Sequence, residues 1–243
     1  MNKYKLTYKP FGNYALLIEW PQEISSKILE DIRLFVHEIS LNKIKHILEV
    51  NFIYSSLLVI YNYKKTNFNL LKNELDTLYN KPFNSKISKG NLWKIPVCYN
   101  KDFGMDLELL ASEKKITTAK IISLHSNSIY TVFGIGFLPG FLYLGGLNNQ
   151  LFFPRKSTPR SNIEQGSVAI GGNQTGIYPQ NSPGGWNIIG KTPVSIFNKE
   201  AKIPCKIAAG DSVQFLPISK ENFYEIQKQV IKGTYNLKQF KND

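Results

Sequence analysis

Two arginines five residues apart, Arg155 and Arg160, are the first residues in this chain that point to chemistry. The 243-residue sequence carries 30 basic residues, of which only three are arginine. A planar guanidinium at these two positions therefore suggests bidentate capture of a carboxylate or phosphate. The same side chains could instead tether backbone carbonyls, and composition does not separate the two readings. His125 lies upstream within reach of the same surface, where an imidazole suits proton transfer, ligand orientation or a purely structural place. From Lys114 to Lys199 there are eight basic residues and a single acid, Glu164. That stretch can assemble no Ser-His-Asp set, no paired-carboxylate site and no hard-metal cage. What it can do is receive an anion.

Glycine surrounds these groups. Of the 17 glycines, 12 fall between Gly134 and Gly190, in the runs GIGFLPGFLYLGGL (Gly134–Leu147) and GGNQTGIYPQNSPGGW (Gly171–Trp186). Glycine at that density contributes little to a core and marks sharp turns or close backbone approach. Phe137, Phe141, Tyr143, Tyr178 and Trp186 lie in the same stretch, either as barrel core or as the walls of a pocket. Residues Gly185–Thr192 match the pattern GxxxxGK[ST] letter for letter. Pro193 and a strand-like Val-Ser-Ile-Phe follow, where a phosphate-binding loop would open a helix, so the match is read as strand. Gly134-Ile-Gly136 is likewise a broken dinucleotide fingerprint, with Pro139 at the third glycine position.

The bulk numbers set the frame. Hydrophobic content of 42% with 13% aromatic residues is globular composition. No apolar run reaches the ~18 residues of a membrane span. The first residues lack the apolar core of a signal peptide, and Cys98 and Cys205 form no CxxC pair, so a cytoplasmic chain is expected. The net charge of +12 comes mostly from scattered lysines. With no basic helix, RNP motif or zinc-finger spacing, nucleic acid is not expected as a partner.

The elements that position these residues read as follows. Residues 14–20 predict a strand, and from Glu23 the apolar spacing predicts a helix of about four turns. Strands follow at 45–52 and 56–61, then a second helix around Leu70–Leu78 capped by Asn67 or Thr66. A strand at 92–99 completes a β-α-β-β-α-β order, which suggests a ferredoxin-like α+β unit over residues 1–99. Short helices at 106–111 and 118–126 then give way to many short β-like runs, the pattern of a barrel or sandwich, over 100–220. Residues 221–243 predict a helix and a fraying polar tail.

Three spans carry a resemblance: HSNSIYTVFGIGFLPGFLYLGGL, PRKSTPR and GSVAIGGNQTGIYPQNSPGGWNIIGKTPVSIF. Together they resemble the allophanate hydrolase subunit 1 family, also called carboxyltransferase subdomain C/D. Its members include the B subunit of 5-oxoprolinase and a sporulation-kinase inhibitor. Two departures are visible: Ile163–Ser167 lacks the proline usual before the second run, and Lys191 stands where arginine or histidine is common.

The resemblance implies a ferredoxin-like N-terminal domain followed by a cyclophilin-like β-barrel. It implies ATP-dependent opening of 5-oxo-L-proline to L-glutamate by a complex with a larger C-type subunit and a third lactam-hydrolase subunit, this chain being inactive alone. ATP and Mg²⁺ would enter through the complex, with the metal's carboxylates supplied by a partner. Carried over by motif, His125, Arg155, Arg160, Gln174 and Tyr178 become candidate catalytic residues. Gly136, Phe137, Pro139, Gly140, Thr175, Gly176, Pro183, Gly184, Gly185 and Trp186 become candidate contacts for a small anionic substrate. Backbone N–H groups of 174–176 and 184–185 are expected to form an anion nest. A histidine-kinase inhibitor and a component of a urea or allophanate carboxyltransferase are the alternatives.

Overall fold

The computed structural model describes residues 4–83 and 85–241, with side chains through Leu237. The chain divides into two compact units between Ser88 and Lys89.

The first unit contains β1 (Thr7–Phe11), β2 (Ala15–Glu19), α1 (Ser26–Leu41), β3 (Ile47–Ile53), β4 (Ser56–Tyr61) and α2 (Phe68–Asn80). The sheet runs β1-β2-β4-β3, antiparallel throughout. Period-two alternation sends Leu16 and Ile18 of β2 and Leu57 and Val59 of β4 to one face. There they meet Ile28, Ile32 and Phe35 of α1 and Leu71 and Leu75 of α2, all fully buried. Asn67 is the cap of α2, its side chain accepting from the Leu70 N–H at 3.1 Å. The expected last strand of a ferredoxin-like unit is not here. The edge place beside β2 is held by β1, and the strand predicted at 92–99 joins the second unit. The boundary at residue 99 therefore moves back to 88. Sequence order alone suggested that strand's partner, whereas a parallel pairing with a strand over a hundred residues away claims it.

The second unit contains β5 (Asn91–Val97), α3 (Leu107–Lys114), α4 (Thr118–Ser126), β6 (Tyr130–Ile135), β7 (Leu142–Gly145), β8 (Arg160–Ile163), β9 (Ser167–Gly171), β10 (Gln174–Ile177), β11 (Ser182–Gly184), β12 (Asn187–Lys191), β13 (Ser212–Pro217), α5 (Lys220–Ile231) and β14 (Lys238–Lys241). Its main sheet runs β12-β9-β10-β7-β6-β13-β5-β14, with β11 and β8 as a separate pair. The sheet curls until Cys98, just past β5, meets Lys191 at the end of β12 through two backbone bonds of 2.9 and 3.0 Å. Gly190 permits this closure: a Cβ there would lie 2.9 Å from the Cys98 carbonyl oxygen. The core inside the curl is aliphatic and aromatic, with Ile95, Val132, Leu144, Ile170 and Phe215 fully buried.

Residues 187–191 are a strand, as read from the residues that follow the GxxxxGK[ST] match. One expectation changes here. The tail does not fray as predicted: β14 pairs antiparallel with the first half of β5, Lys238 opposite Lys94 and Lys241 opposite Asn91. The exposed edge of β5 offers unpaired backbone groups that a polar segment can satisfy regardless of its side chains. Residues 221–241 are thus part of the second unit. Among the described residues no helix is long and apolar enough to cross a membrane.

Candidate functional site

A cavity of about 220 Å³ opens on the second unit between the β6–β7 turn, the 154–160 segment and the β11–β12 turn. Its wall is an aromatic cluster built on Phe141. The rings of Phe137, Tyr143, Tyr178 and Trp186 all meet Phe141 edge-on, with centroids 5.7, 5.2, 6.0 and 5.6 Å away. Edge-to-face packing of this kind fixes ring planes as well as positions. Small residues make the room. A Cβ at Gly171 would lie 2.6 Å from the Trp186 indole, and one at Gly184 would lie 2.2 Å from the Tyr178 hydroxyl.

Arg155 stands at the mouth, exposed, with its Cζ 5.5 Å from the Trp186 ring centroid. A guanidinium over an indole face is held by the ring quadrupole while its N–H edge stays free. Burial raises the Tyr178 hydroxyl's pKa, opposed by the Trp186 backbone N–H and the charges of Arg155 and Arg160. Burial likewise raises Tyr143, opposed by Arg155. Both phenols stay protonated at neutral pH. The lining holds two cations, Arg155 and Lys156, and neither a carboxylate nor an imidazole. Cations beside an aromatic wall suit a small anion with a flat body, and the lining holds no base.

Beneath the 154–160 segment sits an acid that the sequence did not single out. Asp106, 4% exposed, accepts from Arg160 through both oxygens at 2.9 and 2.7 Å, from Lys156 at 2.9 Å and from the Ile188 N–H at 2.7 Å. Burial alone would raise its pKa, but these bonds outweigh burial and hold it below the usual carboxylate range. Lys156 is pinned again through its backbone, donating to the Gly185 carbonyl at 2.7 Å. A larger cleft of about 410 Å³ lies along α5, but its cation, Lys191, is paired with Glu164.

The family model for the carboxyltransferase domain, subdomain C and D, matches residues 6–207. The chain belongs to this family. Over 136 residues it is 43% identical to the 5-oxoprolinase B subunit of Bacillus subtilis, covering 56% of this chain and 57% of that protein. Over 128 residues it is 48% identical to the 5-oxoprolinase B subunit of Haemophilus influenzae, covering 53% and 60%. The matched segment thus spans less than two thirds of either relative's length. A conserved uncharacterized protein from Pyrococcus horikoshii superposes with a TM-score of 0.53 at 35% identity, covering 89% of this chain and all of that one. The K. lactis urea amidolyase gives a TM-score of 0.82 over 99% of this chain and 16% of its own, and at 19% identity the likeness is one of fold.

Within this family framework the residues picked out by motif separate into three groups. Phe137, Arg155, Tyr178, Gly184, Gly185 and Trp186 line one cavity. Gly136, Pro139 and Gly140 shape the turn that presents Phe137. That turn is closed by a Leu138 N–H to Gly136 carbonyl bond of 2.7 Å, and Gly140 adopts φ +82 where a Cβ would strike Phe197. Gly176 backs the aromatic wall, since a Cβ there would come within 3.1 Å of Trp186. Pro183, on β11, is exposed.

The remaining candidates lie elsewhere. His125 is fully buried, its Nδ1 2.7 Å from the Tyr99 hydroxyl and its Nε2 2.8 Å from Thr175 Oγ1. Thr175 Oγ1 donates to the Ala169 carbonyl at 3.0 Å, so it accepts from Nε2–H, and Nδ1 accepts from Tyr99. Burial lowers the imidazole pKa to about 3. His125 and Thr175 are therefore core residues, and the expected proton-transfer role has no access to the cavity. Arg160 holds Asp106 rather than a ligand. The 174–176 nest is not formed, because β10 lies inside the sheet between β9 and β7. Gln174 begins that strand and is half-buried. Motif spacing groups such residues by sequence, whereas strand alternation sends neighbours to opposite faces.

Proposed function

We propose that this chain is the B subunit of an ATP-dependent 5-oxoprolinase, which opens 5-oxo-L-proline to L-glutamate with a larger partner subunit and is inactive alone. The relatives named as 5-oxoprolinase B subunits support the activity. The observation that carries the site is the pairing of an uncommitted guanidinium with an aromatic wall around a 220 Å³ cavity. That volume lies below the ~300–1,000 Å³ of drug-sized ligand sites and suits a five-membered lactam acid. Arg155 would hold the ring carboxylate, Tyr143 and Tyr178 would donate to polar atoms, and Phe141 and Trp186 would flank the ring. We read the two units as ferredoxin-like, with β1 in the place of the last strand, and cyclophilin-like.

Mg²⁺ finds no fitting ligands in this cavity. No carboxylate lines it, and among the described residues no three His, Cys, Asp or Glu side chains come together. Mg²⁺ prefers oxygen ligands, carboxylates above all. In this reading the ATP-dependent step is carried with partner subunits of a cytoplasmic complex, and this chain binds and orients the lactam. ADP release dependent on 5-oxoproline tests this, measured for the chain alone and with its larger partner. Activity in the complex and none in the lone chain is expected; substantial lone-chain turnover, or none in the complex, rejects the reading.

A second reading has its own support. Urea amidolyase of Saccharomyces cerevisiae is 24% identical over 96% of this chain. A carboxyltransferase component would show biotin-dependent carboxylation of urea, which the 5-oxoprolinase reading excludes.

A further inference from the structure

We infer that Asp106 sets the charge selectivity of the cavity, restricting it to ligands with a single carboxylate and turning away phosphates and dicarboxylates. The inference rests on the reading of the cavity as an anion site and narrows what that site accepts.

Two cations line the cavity, Arg155 and Lys156, and a third, Arg160, stands just outside its lining on the same segment. A guanidinium–ammonium–guanidinium cluster would be a strong trap for a polyanion, since phosphate oxygens take several charge-assisted donors at once. Asp106 prevents this in two ways. Its two oxygens receive four hydrogen bonds from Arg160, Lys156 and the Ile188 N–H, which turns both cations toward the protein. Its own negative charge, buried at 4% exposure, also repels a second anionic group brought near Lys156. Among the described residues Arg155 makes no ion pair; its contact is the Trp186 face. One cation is left to meet one carboxylate.

Asp106 comes from the turn before α3, and its backbone N–H donates to the Ile188 carbonyl at 2.9 Å. The acid is thus locked to β12 on both its backbone and side-chain sides, and it cannot swing out to let a polyanion in. An asparagine at this position keeps the shape but cannot neutralise or hold two cations, so Lys156, which lines the cavity, becomes available to a ligand and the charge of Arg160 behind it is no longer offset.

Calorimetric titration of the full chain, alone and in the complex, tests this at fixed ionic strength. The probes are 5-oxo-L-proline, cyclopentanecarboxylate, succinate, inorganic phosphate and pyrophosphate. The wild-type chain is expected to favour the monocarboxylates over succinate, phosphate and pyrophosphate by at least about tenfold, and Asp106→Asn to reduce or reverse that ratio by about tenfold, or ~1.4 kcal/mol. A purely structural role would weaken all probes together and leave the ratio unchanged, which overturns the inference. Should Asp106→Asn not fold, the wild-type ratio decides: equal or tighter polyanion binding overturns it, as does failure of every probe to bind. If cyclopentanecarboxylate binds with the expected selectivity while 5-oxoproline does not, the substrate reading falls and the selectivity inference stands.

Discussion

The guanidinium of Arg155 lies over the indole of Trp186, 5.5 Å from its centroid. This contact joins the 154–160 segment to the β11–β12 turn and leaves the outer edge of the guanidinium open. Replacing Arg155 by alanine removes the proposed carboxylate partner without disturbing the core. The KM for 5-oxoproline in the assembled complex is expected to rise about tenfold or more with kcat little changed, the pattern of a lost binding contact. Arg155→Lys should recover only part of this, because an ammonium keeps the charge but neither stacks nor forks. A fall in kcat with constant KM would place Arg155 in the chemical step instead.

Gly171 and Gly172 are adjacent glycines required for different reasons. At Gly171 a Cβ would lie 2.6 Å from the Trp186 ring, whereas at Gly172, with φ +66, nothing stands within 4 Å. Gly171→Ala should therefore displace the indole, costing about 1–3 kcal/mol as overpacking and abolishing ligand binding. Gly172→Ala should cost about 1–2 kcal/mol of backbone strain while leaving binding intact. Urea denaturation and calorimetric titration of both variants separate the two causes; equal loss of binding would show that the wall is not what Gly171 protects.

Much of this site was visible in the sequence, and the reason is local. The glycine-rich runs, the exposed arginine and the aromatics all lie between Gly134 and Trp186, so composition marks them together. The helices and most strands of both units were legible for the same reason, their apolar spacing being a local property. Asp106 was hidden because its partners Arg160 and Ile188 are 54 and 82 residues away. An acid outside the acid-poor stretch gave no sign that it reaches into it. His125 misled in the opposite sense: a polar type near the motif suggested chemistry, while its helix face turned it into the core between Tyr99 and Thr175. The parallel pairing of β5 with β13 is equally non-local, which is why the domain boundary was misplaced.

Phe137 combines two costs, a φ of +62 and a side chain 67% exposed. A bulky residue in the left-handed region is strained by about 1–3 kcal/mol, and such strain concentrates at functional sites. Phe137→Gly relieves the strain but deletes the ring that meets Phe141. Thermal unfolding should show little net change or a small gain in stability, despite the lost aromatic contact. Binding of 5-oxoproline should weaken several-fold. A large drop in stability would mean that the ring is there for packing and that the cavity rim is incidental.

His125 makes the stability of the second unit depend on pH in a defined window. Its folded-state pKa is lowered by burial from 6.5 to about 3. The folded state therefore favours the neutral ring, and the unfolded state takes up a proton first as pH falls. The contribution is complete above pH 6.5 and is lost progressively between there and about pH 3. Each pH unit inside the window costs about 1.4 kcal/mol, so going from pH 6.5 to 5 should cost roughly 2 kcal/mol. Tyr99 and Tyr130, whose hydroxyls are raised by burial, stay neutral across this range. The ion-paired acids Asp106 and Glu164 have lowered pKa values and lose their contributions at more acidic pH. Urea unfolding of wild type and His125→Gln at pH 7.5 and 5 isolates the effect. The variant should be less stable at pH 7.5 and flatter by about 2 kcal/mol between the two pH values; parallel pH profiles would mean that the ring is charged or solvated in the folded protein.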